Sequence, residues 1–167
     1  PQIAEARIGL AALYTRQKRF QESISVYETA LSLQPQSSVL RLNMANVYAE
    51  MGEFSKGIEL LQNLLDQVPT DQQAQAGLLK MLIDNKSLSK ALELGKMYLK
   101  EAPQNREIQA LVGIALFRSQ QFPFAHELLV ASTQDEIPRQ YVNESIAKLY
   151  IAQDKTDKGL LHFLEEF

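Results

Sequence analysis

The chain has 167 residues, a net charge of −3, six prolines and no cysteine. Hydrophobic residues at 46% and charged residues at 22% exclude extended disorder, because that much apolar side chain builds a core. The missing cysteines exclude a disulfide framework, a zinc finger and a thiol nucleophile, and the acidic balance argues against a nucleic-acid surface, which needs surplus Lys and Arg.

The prolines organise the chain. Pro1, Pro35, Pro69 and Pro103 stand 34 residues apart, Pro138 follows after 35, and only Pro123 lies off the series. A fixed period of this length marks an array of supersecondary units. Counted from three residues past each of the first four prolines and continued at the 34-residue period, the units fall at about 4–37, 38–71, 72–105, 106–139 and 140–167, one array over residues 1–167.

Unit 4–37 places Leu10, Ala11 and Tyr14 on a first helix and Tyr27 and Ala30 on a second, with the basic Arg16-Gln17-Lys18-Arg19 as the solvated turn between them. In unit 38–71, Leu42, Met44, Ala45, Val47, Tyr48 and Met51 fit one helix, and Gly52-Glu53 ends it, since glycine suits a helix C-terminus. A second helix is predicted from about Phe54 to Gln67, with Ile58, Leu61, Leu64 and Leu65 on one face. Pro69-Thr70-Asp71 stops that helix, and Thr70 or Asp71 caps the next. In unit 72–105, Glu and Lys are spread from Lys90 to Lys100 as on a solvated helix face. In unit 106–139, Pro123 sits at the second position of its helix, where proline is tolerated. Unit 140–167 ends in a helix crowded with Leu160, Leu161, Phe163, Leu164 and Phe167.

The units agree in phase. Their seventh positions are Leu10, Met44, Leu78, Val112 and Ile146, their eighth Ala11, Ala45, Leu79, Gly113 and Ala147, and their twentieth Ser23, Gly57, Ala91, Ala125 and Gly159. Small residues recur where two helix backbones come close. No segment reads as a strand, so the predicted fold is all-α, about ten helices in antiparallel pairs.

Catalytic chemistry finds no foothold. His126 and His162 are the only histidines, on second helices at different phases, without a partner for metal or nucleophile work. The glycines are isolated, so no phosphate-binding loop exists. Neither enzyme activity nor a metal or cofactor is expected. No apolar run approaches the roughly 20 residues of a membrane-spanning helix. The composition fits a soluble chain of the cytoplasm or periplasm, and its many glutamines without cysteine fit a bacterial source.

Leu10, Ala11, Tyr14, Tyr27, Ala30 and Pro35, with Asn43-Met44-Ala45-Asn46-Val47-Tyr48 and Met51-Gly52-Glu53-Phe54, carry a resemblance. In this pattern of Leu, small, Tyr, Ala, aromatic, Ala and Pro the sequence resembles the tetratricopeptide repeat family. The usual first-helix Trp is replaced by Arg7, Arg41, Gln75, Gln109 and Asn143, and Gly95 stands where a large residue is usual. The resemblance implies a right-handed superhelical solenoid with first helices on its concave wall, and a protein–protein interaction scaffold or adaptor binding a peptide or partner protein in that groove. It also implies the inward positions.

From those positions the expected groove residues are Ile8, Ala12, Leu42, Asn43, Asn46, Gln73, Lys80, Ile83, Leu111, Ile114, Phe117 and Arg118. Asn43 and Asn46 lie one helical turn apart, and an amide that donates and accepts suits an extended peptide backbone. Gly9 and Gly77 would deepen the groove beside Asn43. Ile8, Leu42 and Ile83 would line apolar pockets, and Leu111, Ile114 and Phe117 a second, greasier stretch. The alternative is that both asparagines follow the family pattern and the groove apolars pack on one another. Family members that clamp a chaperone's C-terminal carboxylate use Lys, Asn, Asn, Lys and Arg; Ile8, Ala12, Asn43, Gln73 and Gly77 match those positions, so the clamp lacks its cations. The rival RNA-binding helical repeat needs basic inward positions, whereas the full set of inward positions, six in each of the five units, holds four basic residues (Arg16, Lys80, Arg118 and Lys148) and five acidic ones (Glu5, Glu50, Asp84, Glu107 and Glu144). A third reading is a non-catalytic arm of an enzyme or envelope-assembly machine. The apolar last helix implies a fragment of a longer repeat protein, self-association through that helix, or a short array with a frayed end.

Overall fold

The second, third and fourth repeats open on the same turn. The carbonyls of Gln34, Val68 and Ala102 accept from the N–H groups of Ser37, Asp71 and Asn105, each at 3.1 Å. Proline is the second residue each time, where its fixed φ suits a β-turn. The fourth residue then caps the next helix: Ser37 Oγ accepts from the Leu40 N–H at 3.4 Å, Asp71 Oδ1 from Ala74 at 3.0 Å and Asn105 Oδ1 from Ile108 at 3.1 Å. At residues 70–71 the cap is therefore Asp71.

The computed structural model describes residues 2–132 and Lys148. Among them are eight helices and no strand: α1 Gln2–Arg16, α2 Phe20–Leu33, α3 Ser38–Glu50, α4 Phe54–Gln67, α5 Gln72–Asp84, α6 Leu88–Glu101, α7 Arg106–Arg118 and α8 Phe122–Ser132. The bounds of α4 and the starts of α3, α5 and α7 fall where the proline register sets them. The rest of the expected unit 140–167, with Pro138, His162 and the apolar stripe of residues 160–167, lies outside the described residues.

The turns inside the repeats also recur in register. Lys18, Gly52, Lys86 and Gln120 hold φ of 58°, 77°, 60° and 61°. In the first, the Lys18 N–H reaches the Thr15 carbonyl at 2.8 Å and the Arg19 N–H the Tyr14 carbonyl at 2.9 Å, the paired bonds that close a helix on a left-handed residue. Gly52, Lys86 and Gln120 repeat this geometry. Of these four turns only the second uses glycine, the residue without a Cβ penalty there.

Gln75 and Gln109 tie the inter-repeat turn to the helix that follows it. Their Nε2 atoms donate to the carbonyls of Pro69 and Pro103 at 2.8 and 2.7 Å. These glutamines occupy the position where Trp was missing from the sequence pattern, and they hold the turn by hydrogen bonding.

The chain divides into two compact units, Pro1–Met81 and Leu82–Phe167, with the boundary inside α5. In the first unit Ile24, Tyr27 and Ala30 of α2 pack with Leu40, Met44 and Val47 of α3 and with Ala11 of α1. The small twentieth position permits close approach in two ways. Ser23 Oγ donates to the Ala11 carbonyl at 2.9 Å, whereas at Gly57 a Cβ would stand 3.1 Å from the Ala45 carbonyl oxygen. In the second unit Ala91 and Tyr98 of α6, Ile108, Val112 and Leu116 of α7, and Ala125 and Leu129 of α8 are buried. Burial pushes the phenols of Tyr27 and Tyr98 above their ordinary value, and at Tyr98 the charge of Glu101 pushes the same way.

Candidate functional site

The site lies in the first unit. Its parts come from helix faces set by the repeat register: the late turns of α1 carry Ala12, Thr15 and Arg16, and the inner face of α3 carries Asn43, Asn46 and Glu50. These six, with Val47 and the Tyr27 ring of α2, line an open concavity of about 190 Å³. Tyr27 and Val47 belong to the core cluster and supply apolar floor. Thr15 is held in a cluster with Ser23 and the Ala11 carbonyl: its Oγ1 lies 3.0 Å from that carbonyl oxygen and 2.8 Å from Ser23 Oγ, and the two hydroxyl protons are shared among these contacts.

The amides of Asn43 and Asn46 make no hydrogen bond to other side chains or backbone among the described residues. Asn43 is half-buried and Asn46 exposed. Each keeps donors and acceptors available inside a concavity with an apolar floor, an arrangement that can hold the peptide groups of an extended chain.

The charges recur by register, and the structure shows which of them pair. The thirteenth position of successive repeats reads Arg16, Glu50, Asp84 and Arg118. In the second unit the pair is closed: Arg118 Nη1 lies 3.5 Å from Asp84 Oδ1 and donates to the Ile83 carbonyl at 3.1 Å. In the first unit Arg16 and Glu50 both line the concavity, and neither makes an ion pair among the described residues. Glu50 ends α3, where the negative pole of the helix disfavours a carboxylate.

The twelve expected groove residues separate. Ala12, Asn43 and Asn46 meet at the concavity. Ile8 packs against the core cluster. Leu42 fills the space beside Gly77, where a Cβ would stand 2.5 Å from its Cδ1, so only Gly9 of the two expected glycines leaves open space. Gln73 and Lys80 are exposed. Ile83 and Ile114 are 3% and 5% exposed; these two side chains serve the interior and offer no groove wall. Leu111 is half-buried, Phe117 meets Phe122 in a tilted ring contact with centroids 5.7 Å apart, and Arg118 is engaged by Asp84. Of the greasier stretch of α7, Ile114 is thus interior while Leu111 and Phe117 stay half-buried. Thr15, at the twelfth repeat position, and Arg16 and Glu50, at the thirteenth, line the concavity besides the expected residues; their register is the signal the sequence offers for them. Tyr27, on a second helix, gave none.

Among the described residues no three His, Asp or Glu side chains gather as a metal site would, and no helix is long and apolar enough to cross a membrane.

A family profile described as tetratricopeptide repeat matches residues 14–82 and 50–115. No curated protein matches the chain. Among solved structures, MamA from Desulfovibrio magneticus superimposes with a TM-score of 0.71 at 15% identity, over 97% of this chain and 92% of MamA. A thermophilic TPR protein from Thermus thermophilus gives a TM-score of 0.81 at 16% identity, over 97% and 89% of the two chains. A tetratricopeptide repeat protein from Parabacteroides merdae gives 0.76 at 19% identity, over 99% of this chain and 64% of that one. At these identities the likeness is one of fold.

Proposed function

The chain belongs to the tetratricopeptide repeat family, and on that premise we propose that this interaction scaffold holds an extended segment of a partner protein in the concavity between α1 and α3. The observation that carries the reading is the pair of unengaged amides, Asn43 and Asn46, in a cleft floored by Tyr27 and Val47. They bond the segment's backbone while a small apolar side chain rests on that floor. Arg16 and Glu50 face the same cleft without ion-pair partners among the described residues, so the segment carries an acidic and a basic side chain to meet them. The adaptor works by binding and carries out no chemistry of its own.

Display selection of random 12-residue peptides against the chain, followed by titration of the selected peptides, tests this. Replacing Asn43 and Asn46 together with Ala removes two hydrogen-bond partners, about 1–3 kcal/mol in sum, and weakens the peptides about 5- to 150-fold. Peptides that bind the double variant as tightly as the parent remove the concavity from the binding site, and a selection that enriches no peptide counts against the groove reading itself.

A further inference from the structure

The C-terminal ends of α3 and α5 build the same small structure twice. Both helices end on an acid at the thirteenth repeat position, Glu50 in α3 and Asp84 in α5. The turn that follows is closed by the same two backbone bonds. After α3 the Gly52 N–H donates to the Ala49 carbonyl at 2.9 Å and the Glu53 N–H to the Tyr48 carbonyl at 2.8 Å. After α5 the Lys86 N–H donates to the Ile83 carbonyl at 3.1 Å and the Ser87 N–H to the Leu82 carbonyl at 2.8 Å. Each end therefore sets a carboxylate beside a carbonyl oxygen that can accept beyond its turn bond, at the pole of a helix that favours a cation.

The α5 copy shows what completes the structure. Arg118 stands at the thirteenth position one repeat later. Its Nη1 donates to the Ile83 carbonyl at 3.1 Å and lies 3.5 Å from Asp84 Oδ1. The α3 copy receives no guanidinium from the chain. One repeat after Glu50 the register supplies Asp84, an acid without a donor, and Glu50 makes no ion pair among the described residues. Glu50 is exposed and lines the concavity.

We propose that the segment held in the concavity carries an arginine, whose guanidinium docks on Glu50 and the Ala49 carbonyl as Arg118 docks on Asp84 and the Ile83 carbonyl. This site presupposes the extended segment proposed above, and it fixes the segment's basic side chain as arginine. A guanidinium is less strongly hydrated than an ammonium, so it gives up less water to reach a half-open site. Its fork also keeps donors for solvent after meeting both acceptors, as at Arg118, whose side chain stays 38% exposed.

The probes are peptides from the random 12-residue selection whose binding is weakened by Asn43→Ala with Asn46→Ala. Each is titrated by calorimetry in three forms: as selected, with its arginine changed to lysine, and with it changed to citrulline, which keeps the shape and loses the charge. The expected result is an arginine in the selected peptides, binding about 3- to 10-fold weaker for the citrulline form and less weakened for the lysine form. Glu50→Gln abolishes the difference among the three forms. Circular dichroism and Tm confirm that this variant folds. Amide spectra give a second readout: the arginine form moves the Gly52 N–H, which shares the Ala49 carbonyl, and the citrulline form does not. Equal loss of all three forms in Glu50→Gln marks a merely structural role and overturns the proposal. Cleft-dependent peptides without arginine, equal binding of the arginine and citrulline forms, or an unmoved Gly52 signal overturn it too, and leave the cleft itself standing. A selection with no peptide sensitive to Asn43 and Asn46 overturns the cleft and the arginine site together.

Discussion

Gly9 and Gly113 both lie inside a first helix, and replacing each with alanine separates helix propensity from packing. Alanine is favoured over glycine inside a helix by about 0.8–1.0 kcal/mol. At Gly9 an added Cβ meets nothing within 4 Å, so the gain stands undiminished, and Gly9→Ala stabilises α1 by about 0.5–1 kcal/mol. At Gly113 the added carbon would stand 2.8 Å from Leu129 Cγ, 2.9 Å from its Cδ2 and 3.3 Å from its backbone nitrogen. Leu129 is fully buried, and the crowded atoms are its branch point and main chain, which cannot swing clear. Overpacking of this kind costs about 1–3 kcal/mol. Set against the propensity gain, Gly113→Ala leaves a net loss of up to about 2 kcal/mol. Repeat arrays open locally, so native-state hydrogen exchange of the α1 and α7 amides is the fitting assay, with urea midpoints beside it. Slower exchange in α1 for Gly9→Ala and faster exchange in α7 for Gly113→Ala are expected. Faster exchange in α1 would refute the reasoning by showing that Gly9 packs against something, and slower exchange in α7 would show that α8 does not approach α7 as closely as these distances require.

The caps and the buried phenols give two further expectations. Asp71→Ala and Asn105→Ala each remove a helix cap and lower stability by about 1 kcal/mol, read as a shift in urea midpoint, while Gln104→Ala in the neighbouring turn leaves it unchanged. Tyr27 and Tyr98 titrate higher in the folded chain than in the unfolded one, so their contribution is intact below about pH 10 and declines as pH rises through the folded values. Replacing both with Phe removes that part of the alkaline loss in a pH series of thermal melts; an unchanged alkaline limb shows that other groups control it.

Most of the fold was legible in the sequence because it is written in local signals. Pro35, Pro69 and Pro103 are turn residues for reasons internal to four consecutive residues, and the Ser, Asp and Asn that follow two places later cap helices through bonds spanning three residues. The helix ends at Lys18, Gly52, Lys86 and Gln120 are local in the same sense, although only Gly52 advertised itself, since the other three adopt a conformation their residue types disfavour.

The sequence by itself determined the repeat register, and with it the bounds of α4 and the starts of α3, α5 and α7, while the inward positions came from the family resemblance. Which of those positions remain open was decided by tertiary packing. Ile83 and Ile114 share the register of exposed or half-open neighbours yet are buried. Arg118 and Arg16 stand at the same repeat position, but one is drawn to Asp84 and the other is left beside a cleft. Tyr27 reaches that cleft from a helix whose register pointed to the core. Register fixes the direction in which a side chain leaves its helix. What it meets there depends on residues tens of positions away, and that contact settles burial, pairing and access.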